Sequence, residues 1–117
     1  MSKAKYIKNI PHEQVLPLAE QVAVLPGQVV SKTLAQNDAV SVTLFAFDKG
    51  EELSAHDSEG DAMVQVLEGA GRFTVGGVEH HVKAGEVLVM PANVKHAVFA
   101  EEQFKMLLTV VFPLEEK

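Results

Sequence analysis

Apolar and polar residues alternate along two long stretches of this chain, residues 40–47 and 104–112. A period of two places successive side chains on opposite faces, so each stretch is predicted to be a β-strand. Apolar residues occur on both faces of each stretch, and we therefore expect both faces to be covered. Pro113 closes the second strand, because proline donates no hydrogen bond to a sheet.

Shorter β-rich segments lie before and between these two strands. Gly76-Gly77 is flanked by apolar residues and predicts a tight hairpin, since glycine readily adopts the positive φ that such turns need. The only helical candidate, residues 12–24, contains Pro17 and is limited to about one turn. Short strands joined by Gly, Asn and Asp turns predict an all-β sandwich or barrel with an irregular N-terminal segment. The shorter predicted strands are residues 28–34, 64–67, 72–75, 78–82, 87–90 and 97–99.

The charge of the chain argues against two classes of partner. Its formal net charge is -6, and its single arginine and its lysines form no basic cluster beyond the N-terminus. Nucleic acids and anionic membranes attract a positive face, so neither is an expected partner. No run reaches the roughly 18 apolar residues of a membrane-spanning helix, and the N-terminus lacks an apolar signal core. We therefore expect a cytoplasmic protein.

The lack of cysteine narrows the possible chemistry. Without Cys, the chain has no disulfide, no thiolate nucleophile and no Cys-based zinc or iron–sulfur site. Any metal must be held by imidazole or oxygen ligands. The candidates are the five His and the acidic residues.

Two motifs with defined spacing occupy the central half of the chain, over residues 50–69 and 85–100. Their matching positions are Gly50, His56 and Gly69 in the first motif, and Gly85, Pro91 and His96 in the second. These motifs resemble the pair found in small single-domain cupins, the cupin-2-like conserved-barrel family. The resemblance implies one cupin domain over residues 1–117, folded as a double-stranded β-helix or jelly-roll barrel. It also implies a site where three His and one Glu surround a divalent metal.

Several positions depart from the family pattern. Ser58 stands where the second His would be, and Ala62 stands where the Glu would be. In the second motif, Asn93 replaces a Gly and Ala100 replaces an Asn. Asn93 is a mild change, because asparagine is the residue after glycine that best tolerates left-handed backbone. The departures leave His56 and His96 as the remaining imidazoles of the set.

The resemblance and the strand period together predict a ligand pocket lined by His56, Ser58, Ala62 and His96. Residues two apart in a strand share a face, so His56 and Ser58 are expected to point the same way. His96 follows a turn and is expected to approach from the neighbouring strand. A manganese, iron, nickel or zinc ion would be bound weakly by the two His, with His80 or Asp61 as supplementary ligands. No catalytic residue is assigned.

Other candidates have simpler interpretations. His80 and His81 are adjacent and face opposite sides of a strand, so His80 could reach the barrel interior and His81 is expected to face solvent. Arg72 could bind a substrate carboxylate, but a surface ion pair is the favoured interpretation. His12 is expected at the surface.

Three functional hypotheses follow. The first is a cupin barrel that binds a small organic molecule beside His56 and His96, with metal absent or weakly bound. The second is a metal-dependent isomerase, dioxygenase or decarboxylase acting on a small acid or sugar. The third is a non-catalytic sensor or structural dimer, which a barrel filled by side chains would favour. A homodimer is expected in each case, because apolar residues on both faces exceed what a small barrel covers alone.

Overall fold

The structure is a computed structural model, and it describes residues 6–114. One short 3-10 helix, Leu18–Gln21, precedes the strands, in agreement with the limit that Pro17 sets on helix length. Within residues 6–114, no helix has the length and apolar character needed to cross a bilayer. The strands are β1 Val29–Gln36, β2 Val40–Phe47, β3 Glu52–His56, β4 Asp61–Glu68, β5 Ala70–Val75, β6 Val78–Lys83, β7 Val87–Met90, β8 His96–Phe99 and β9 Phe104–Val111.

These strands form two antiparallel sheets, which confirms the predicted all-β barrel. The larger sheet has the order β1-β2-β9-β4-β7, and the smaller one has the order β3-β8-β5-β6. Every strand predicted from the sequence is present. Alternation did not predict β3, in which only one of five side chains, Leu53, is partly buried; a strand at His56 was expected from the family resemblance alone. Its apolar alternation is therefore too weak to reveal it in the sequence.

Apolar side chains from both sheets fill the space between them. Phe47 and Phe104 stack with their ring centroids 4.6 Å apart, and Phe73 meets Phe104 edge-on at 6.1 Å. All three rings are fully buried. The interior of the barrel is thus packed with side chains, as in most small barrels.

A second apolar cluster lies on the outer face of the larger sheet. Leu44 and Ala46 of β2 point away from the barrel interior, yet both are fully buried. They are covered by the N-terminal segment, which contributes Val22, Val24, Leu18 and Ile10. This arrangement confirms that both faces of β2 are covered and identifies the cover on each side.

The motif glycines occupy turns that need left-handed backbone. Gly50, Gly69 and Gly85 have φ values of 87°, 71° and 90°. Asn93, which stands in a glycine position of the second motif, has a φ of 63°. The expectation that asparagine substitutes for glycine at this turn is therefore confirmed.

Candidate functional site

The structure brings His56 and His96 together. His56 is the last residue of β3, His96 is the first residue of β8, and the two are direct partners in the register of this strand pair. Their ring centroids lie 4.4 Å apart, with 67° between the ring planes. The expectation that His96 approaches from a neighbouring strand is confirmed. The pair lies where both strands end, at one rim of the smaller sheet.

The two rings differ in their contact with solvent. His96 is 5% exposed and is the only buried polar or charged residue described in residues 6–114. His56, by contrast, is exposed. A solute can therefore reach the pair from the side of His56, while His96 forms the inner wall.

Backbone carbonyl groups determine the tautomer of both rings. The Nδ1 atom of His56 lies 2.9 Å from the carbonyl oxygen of Ser54, and that of His96 lies 3.3 Å from the carbonyl oxygen of Val94. A carbonyl oxygen only accepts hydrogen bonds, so Nδ1 must carry the proton in each ring. When the rings are neutral, each Nε2 atom consequently presents a lone pair.

His96 is held in its neutral form. Burial, and after it the repulsion of a protonated His56, lowers the pKa of His96 below its ordinary value of 6.5. The hydrogen bond to Val94 and the carboxylate of Asp57 act in the opposite direction and only partly offset this effect. At neutral pH the inner wall of the site is therefore an uncharged imidazole.

The lowered pKa of His96 predicts a loss of stability in mild acid. Below pH 6.5 the unfolded chain binds a proton at His96 that the folded chain accepts only at lower pH. Stability should therefore fall as the pH drops from 6.5 toward the folded-state pKa. Urea unfolding at a series of pH values measures the slope. In His96→Gln this slope should be reduced, whereas His81→Gln should retain it; an unchanged slope in His96→Gln contradicts the prediction.

The other two predicted pocket residues lie outside the β3–β8 strand pair that holds His56 and His96. β3 ends at His56, so Ser58 lies in the following turn and does not share a strand face with it. The Ser58 hydroxyl donates a hydrogen bond to the carbonyl oxygen of Gly60 at 2.7 Å, which commits it to the turn. Ala62 is 2% exposed and packs in the barrel core from the opposite sheet.

Comparison with known proteins shows to which family the chain belongs. The Cupin domain family model matches residues 43–112, more than half of the 117 residues. The chain belongs to the cupin family. None of the curated protein sequences matches this cupin.

Solved structures of similar sequence extend the relationship over nearly the whole cupin. It is 41% identical to a conserved protein of unknown function from Streptococcus pyogenes, with 97% of this chain and 100% of that chain covered and a TM-score of 0.94. It is 34% identical to a cupin superfamily protein from Desulfitobacterium hafniense, with 92% of this chain and 98% of that chain covered and a TM-score of 0.87. It is 48% identical to a cupin 2 conserved barrel domain protein from Leptotrichia buccalis, with 80% of this chain and 46% of that chain covered and a TM-score of 0.79.

The residues of this cupin do not fit the divalent metal that the family implies. Ser58 donates its hydroxyl hydrogen to Gly60, and Ala62 has only a methyl group to offer. Over residues 6–114, no three His, Cys, Asp or Glu side chains are grouped so that they could hold a metal ion. Two imidazoles alone fall short of the three or four protein ligands typical of a stable transition-metal site.

The two supplementary ligands considered from the sequence lie elsewhere. His80 is on β6, two strands away from β8, a separation of roughly 10 Å at the usual spacing of strands. Over residues 6–114, His80 does not join His56 and His96 in a group of three side chains that could hold one metal ion. The Asp61 carboxylate accepts a hydrogen bond from the Ala92 amide at 2.8 Å and anchors the turn after β7.

The remaining charged candidates form a surface cluster on the outer face of the smaller sheet. Arg72 and His81 both approach the carboxylate of Glu101, at 3.7 and 3.2 Å, and the Arg72 guanidinium lies 4.7 Å from the centroid of the Phe99 ring. The surface ion pair expected of Arg72 and the exposure expected of His81 are confirmed. His12 is exposed as well, with its Nε2 atom 2.7 Å from the Ile7 carbonyl oxygen.

Sequence reasoning did not identify the groups that orient the two rings. These are the carbonyl oxygens of Ser54 and Val94, each two residues before its His. Any residue type supplies a carbonyl, so no sequence signal could mark them. Four surface pockets over residues 6–114, of about 600, 560, 400 and 330 Å³, are lined by residues other than His56 and His96. The candidate site lies at the rim of the smaller sheet, where β3 ends and β8 begins.

Proposed function

We propose that this cupin binds a small, uncharged, hydroxyl-bearing organic molecule at the barrel rim, through the Nε2 atoms of His56 and His96 and without a resident metal. The observation that supports this function is the pairing of two rings 4.4 Å apart whose Nδ1 atoms both donate to backbone carbonyls. Each neutral ring then has a lone pair on Nε2, and a lone pair needs a hydrogen-bond donor from the ligand. Hydroxyl groups of a polyol or sugar supply such donors.

Charge favours an uncharged ligand over a free acid. The lowered pKa of His96 keeps that ring neutral, so the inner wall offers no positive charge to a carboxylate. The net charge of -6 also repels small anions at long range. An uncharged polyol has neither disadvantage.

Nuclear magnetic resonance of the imidazole nitrogens tests this proposal. In protein labelled with ¹⁵N we expect both rings as the Nδ1-protonated tautomer at pH 7.5. Titration with a panel of neutral sugars and polyols should shift the Nε2 resonances of His56 and His96 together, because the ligand donates to both. The matching sugar acids should give smaller shifts.

Single substitutions supply the matched control. His56→Ala and His96→Ala should each abolish the shifts caused by the polyol, whereas His81→Ala, at an exposed position on the outer face, should leave them unchanged. A panel in which acids bind and polyols do not would overturn the choice of ligand class.

Metal content provides a second prediction. Protein purified without a His tag should carry transition metal far below one ion per chain, because the pair lacks further protein ligands. Elemental analysis measures the metal directly. Stoichiometric manganese, iron, nickel or zinc that is lost in His56→Ala and His96→Ala would contradict the proposal and favour a metal-dependent enzyme.

A non-catalytic sensor or structural dimer is the second candidate function. It is supported by the packed barrel interior, where the largest core side chains are less than 2% exposed. Such an interior leaves the rim as the place for a ligand near the His pair. If no polyol or acid shifts the His resonances, this second candidate is preferred.

A further inference from the structure

The connections between the two sheets fix which strands face each other. At one end of the barrel, residues 48–51 join β2 to β3, residues 100–103 join β8 to β9, Gly69 joins β4 to β5, and residues 84–86 join β6 to β7. With the strand orders of the two sheets, these short connections place β2, β9, β4 and β7 opposite β3, β8, β5 and β6. The larger sheet has a fifth strand, β1, and the smaller sheet has no strand to face it. The interior face of the β1–β2 pair is therefore the open side of the barrel.

The His pair lies at the other end of the barrel, beside this open side. Val40 of β2, Val111 of β9 and Asp61 of β4 form one row across the larger sheet. Only the turn of residues 57–60 separates Asp61 from His56. Because β3 faces β2, His56 at the end of β3 stands opposite the first residues of β2.

The interior face of β2 becomes accessible toward this end. Phe47 is fully buried, whereas Phe45, Thr43 and Ser41, which follow it on the same face, are half-buried. Leu44, which lies between two of them on the outer face, is fully buried, so solvent reaches Phe45 and Thr43 from the interior side. The interior side chains of β4 are buried along the whole strand. The opening thus lies on the β1–β2 side.

A pair of hydroxyl groups stands in this opening. Thr33 and Thr43 are direct partners in the register of β1 and β2, which places their Cβ atoms roughly 5 Å apart on the same face. Both side chains are half-buried. A threonine hydroxyl donates as well as accepts, whereas the neutral imidazoles of the His pair only accept at Nε2. The two pairs together match a ligand whose hydroxyl groups act in both senses.

On the basis of the function proposed above, we propose that the ligand is a cyclic sugar, and that Thr33, Thr43 and Phe45 select it over an acyclic polyol. One face of a sugar ring is a flat array of C–H groups, which an open-chain polyol does not hold in place. The half-buried ring of Phe45, two residues after Thr43 on the same face, offers a flat apolar surface with negative potential to such C–H groups. The threonine hydroxyls lie beside it for the groups at the ring edge.

The composition of this face supports a hydroxyl-rich ligand over a covering protein segment. A segment packed here would take the threonine hydroxyls out of water, which costs free energy unless each finds a partner. The face also carries no ionisable side chain, which agrees with an uncharged ligand. Its residues in β1 and β2 are Val29, Ser31, Thr33, Ser41, Thr43, Phe45 and Phe47.

Matched pairs of sugars and their reduced, open-chain forms test the inference. The panel is glucose with glucitol, galactose with galactitol and xylose with xylitol, and dissociation constants are read from the Nε2 shifts of His56 and His96. At least one sugar should bind about fivefold more tightly than its alditol, the effect of roughly one additional favourable contact. Thr43→Val should weaken binding of that sugar about fivefold, because it removes one hydrogen-bonding group without changing the side-chain shape. Phe45→Leu should weaken the sugar and leave the alditol unchanged.

Thr109→Val is the matched control. Thr109 is also half-buried in a strand of the larger sheet, but it is the register partner of Val42 on the outer face. This variant should bind the sugar as the wild type does, and circular dichroism verifies that every variant is folded. Alditols that bind as tightly as the sugars, an unchanged Thr43→Val or a weakened Thr109→Val would overturn this inference, while shifts at the two His would still support the proposed function. If no member of the panel shifts the His resonances of the wild type, both are overturned.

Discussion

Replacing Phe104 with alanine is expected to destabilise the fold by about 3–5 kcal/mol, the usual cost of removing a buried phenylalanine ring. Phe104 is 1% exposed and lies between two other rings. It stacks on Phe47 at 4.6 Å and meets Phe73 at 6.1 Å, so its removal leaves a cavity lined by both. Such a loss is a large part of the roughly 5–15 kcal/mol that stabilises a typical domain. Urea unfolding followed by circular dichroism measures it.

Phe99→Ala is the control for this substitution. Phe99 is half-buried on the outer face of the smaller sheet, where the Arg72 guanidinium lies over its ring at 4.7 Å. We expect a loss of about 1 kcal/mol, because the ring leaves no enclosed cavity and the cation–π contact is partly exposed. Unfolding of the two variants should be compared at one protein concentration, because any self-association would make the midpoint depend on concentration. Equal losses in the two variants would show that Phe104 is not a central part of the core.

Gly69→Ala is expected to have the next largest effect, about 2–5 kcal/mol. Gly69 has a φ of 71°, and a left-handed backbone costs a residue with a side chain about 1–2 kcal/mol. A Cβ atom at this position would also collide with the carbonyl oxygen of Gln103 and approach the Cβ of Phe104 to 3.0 Å. Relieving this overlap requires a backbone shift, which typically costs another 1–3 kcal/mol or so.

Gly85→Ala separates the two contributions. Gly85 has a φ of 90°, but a Cβ atom there would meet nothing within 4 Å. Its substitution should therefore cost only the conformational part, about 1–2 kcal/mol. If both variants unfold at the same urea concentration, the collision with Gln103 is relieved without cost and the larger value for Gly69 is wrong.

Most of the β-strands could be predicted from the sequence, because the alternation of side chains is a local property. The long strands β2 and β9 and the Gly76-Gly77 hairpin follow directly from residue order. Alternation does not predict β3, because Leu53 is its only partly buried residue. Its assignment depends on pairing with β8, a contact between residues roughly 40 positions apart.

The candidate site was predicted in part. The family spacing identified His56 and His96, and the structure brings their rings together. The same spacing placed Ser58 beside them, but β3 ends at His56 and the hydroxyl donates to Gly60 instead. Where a strand ends depends on hydrogen bonds with its neighbour, and two-residue alternation contains no information about that neighbour.

The sequence by itself determined the all-β class, the cupin motifs and the pair of imidazoles, since periodicity, turn residues and residue identity are all local. Only the tertiary structure decided what lies against each apolar face. Leu44 and Val87 both lie on the outer face of the larger sheet. Leu44 is nevertheless fully buried, whereas Val87 is 57% exposed. The difference arises from the path of the N-terminal segment, which covers the β1–β2 side of the sheet and leaves the β4–β7 side open.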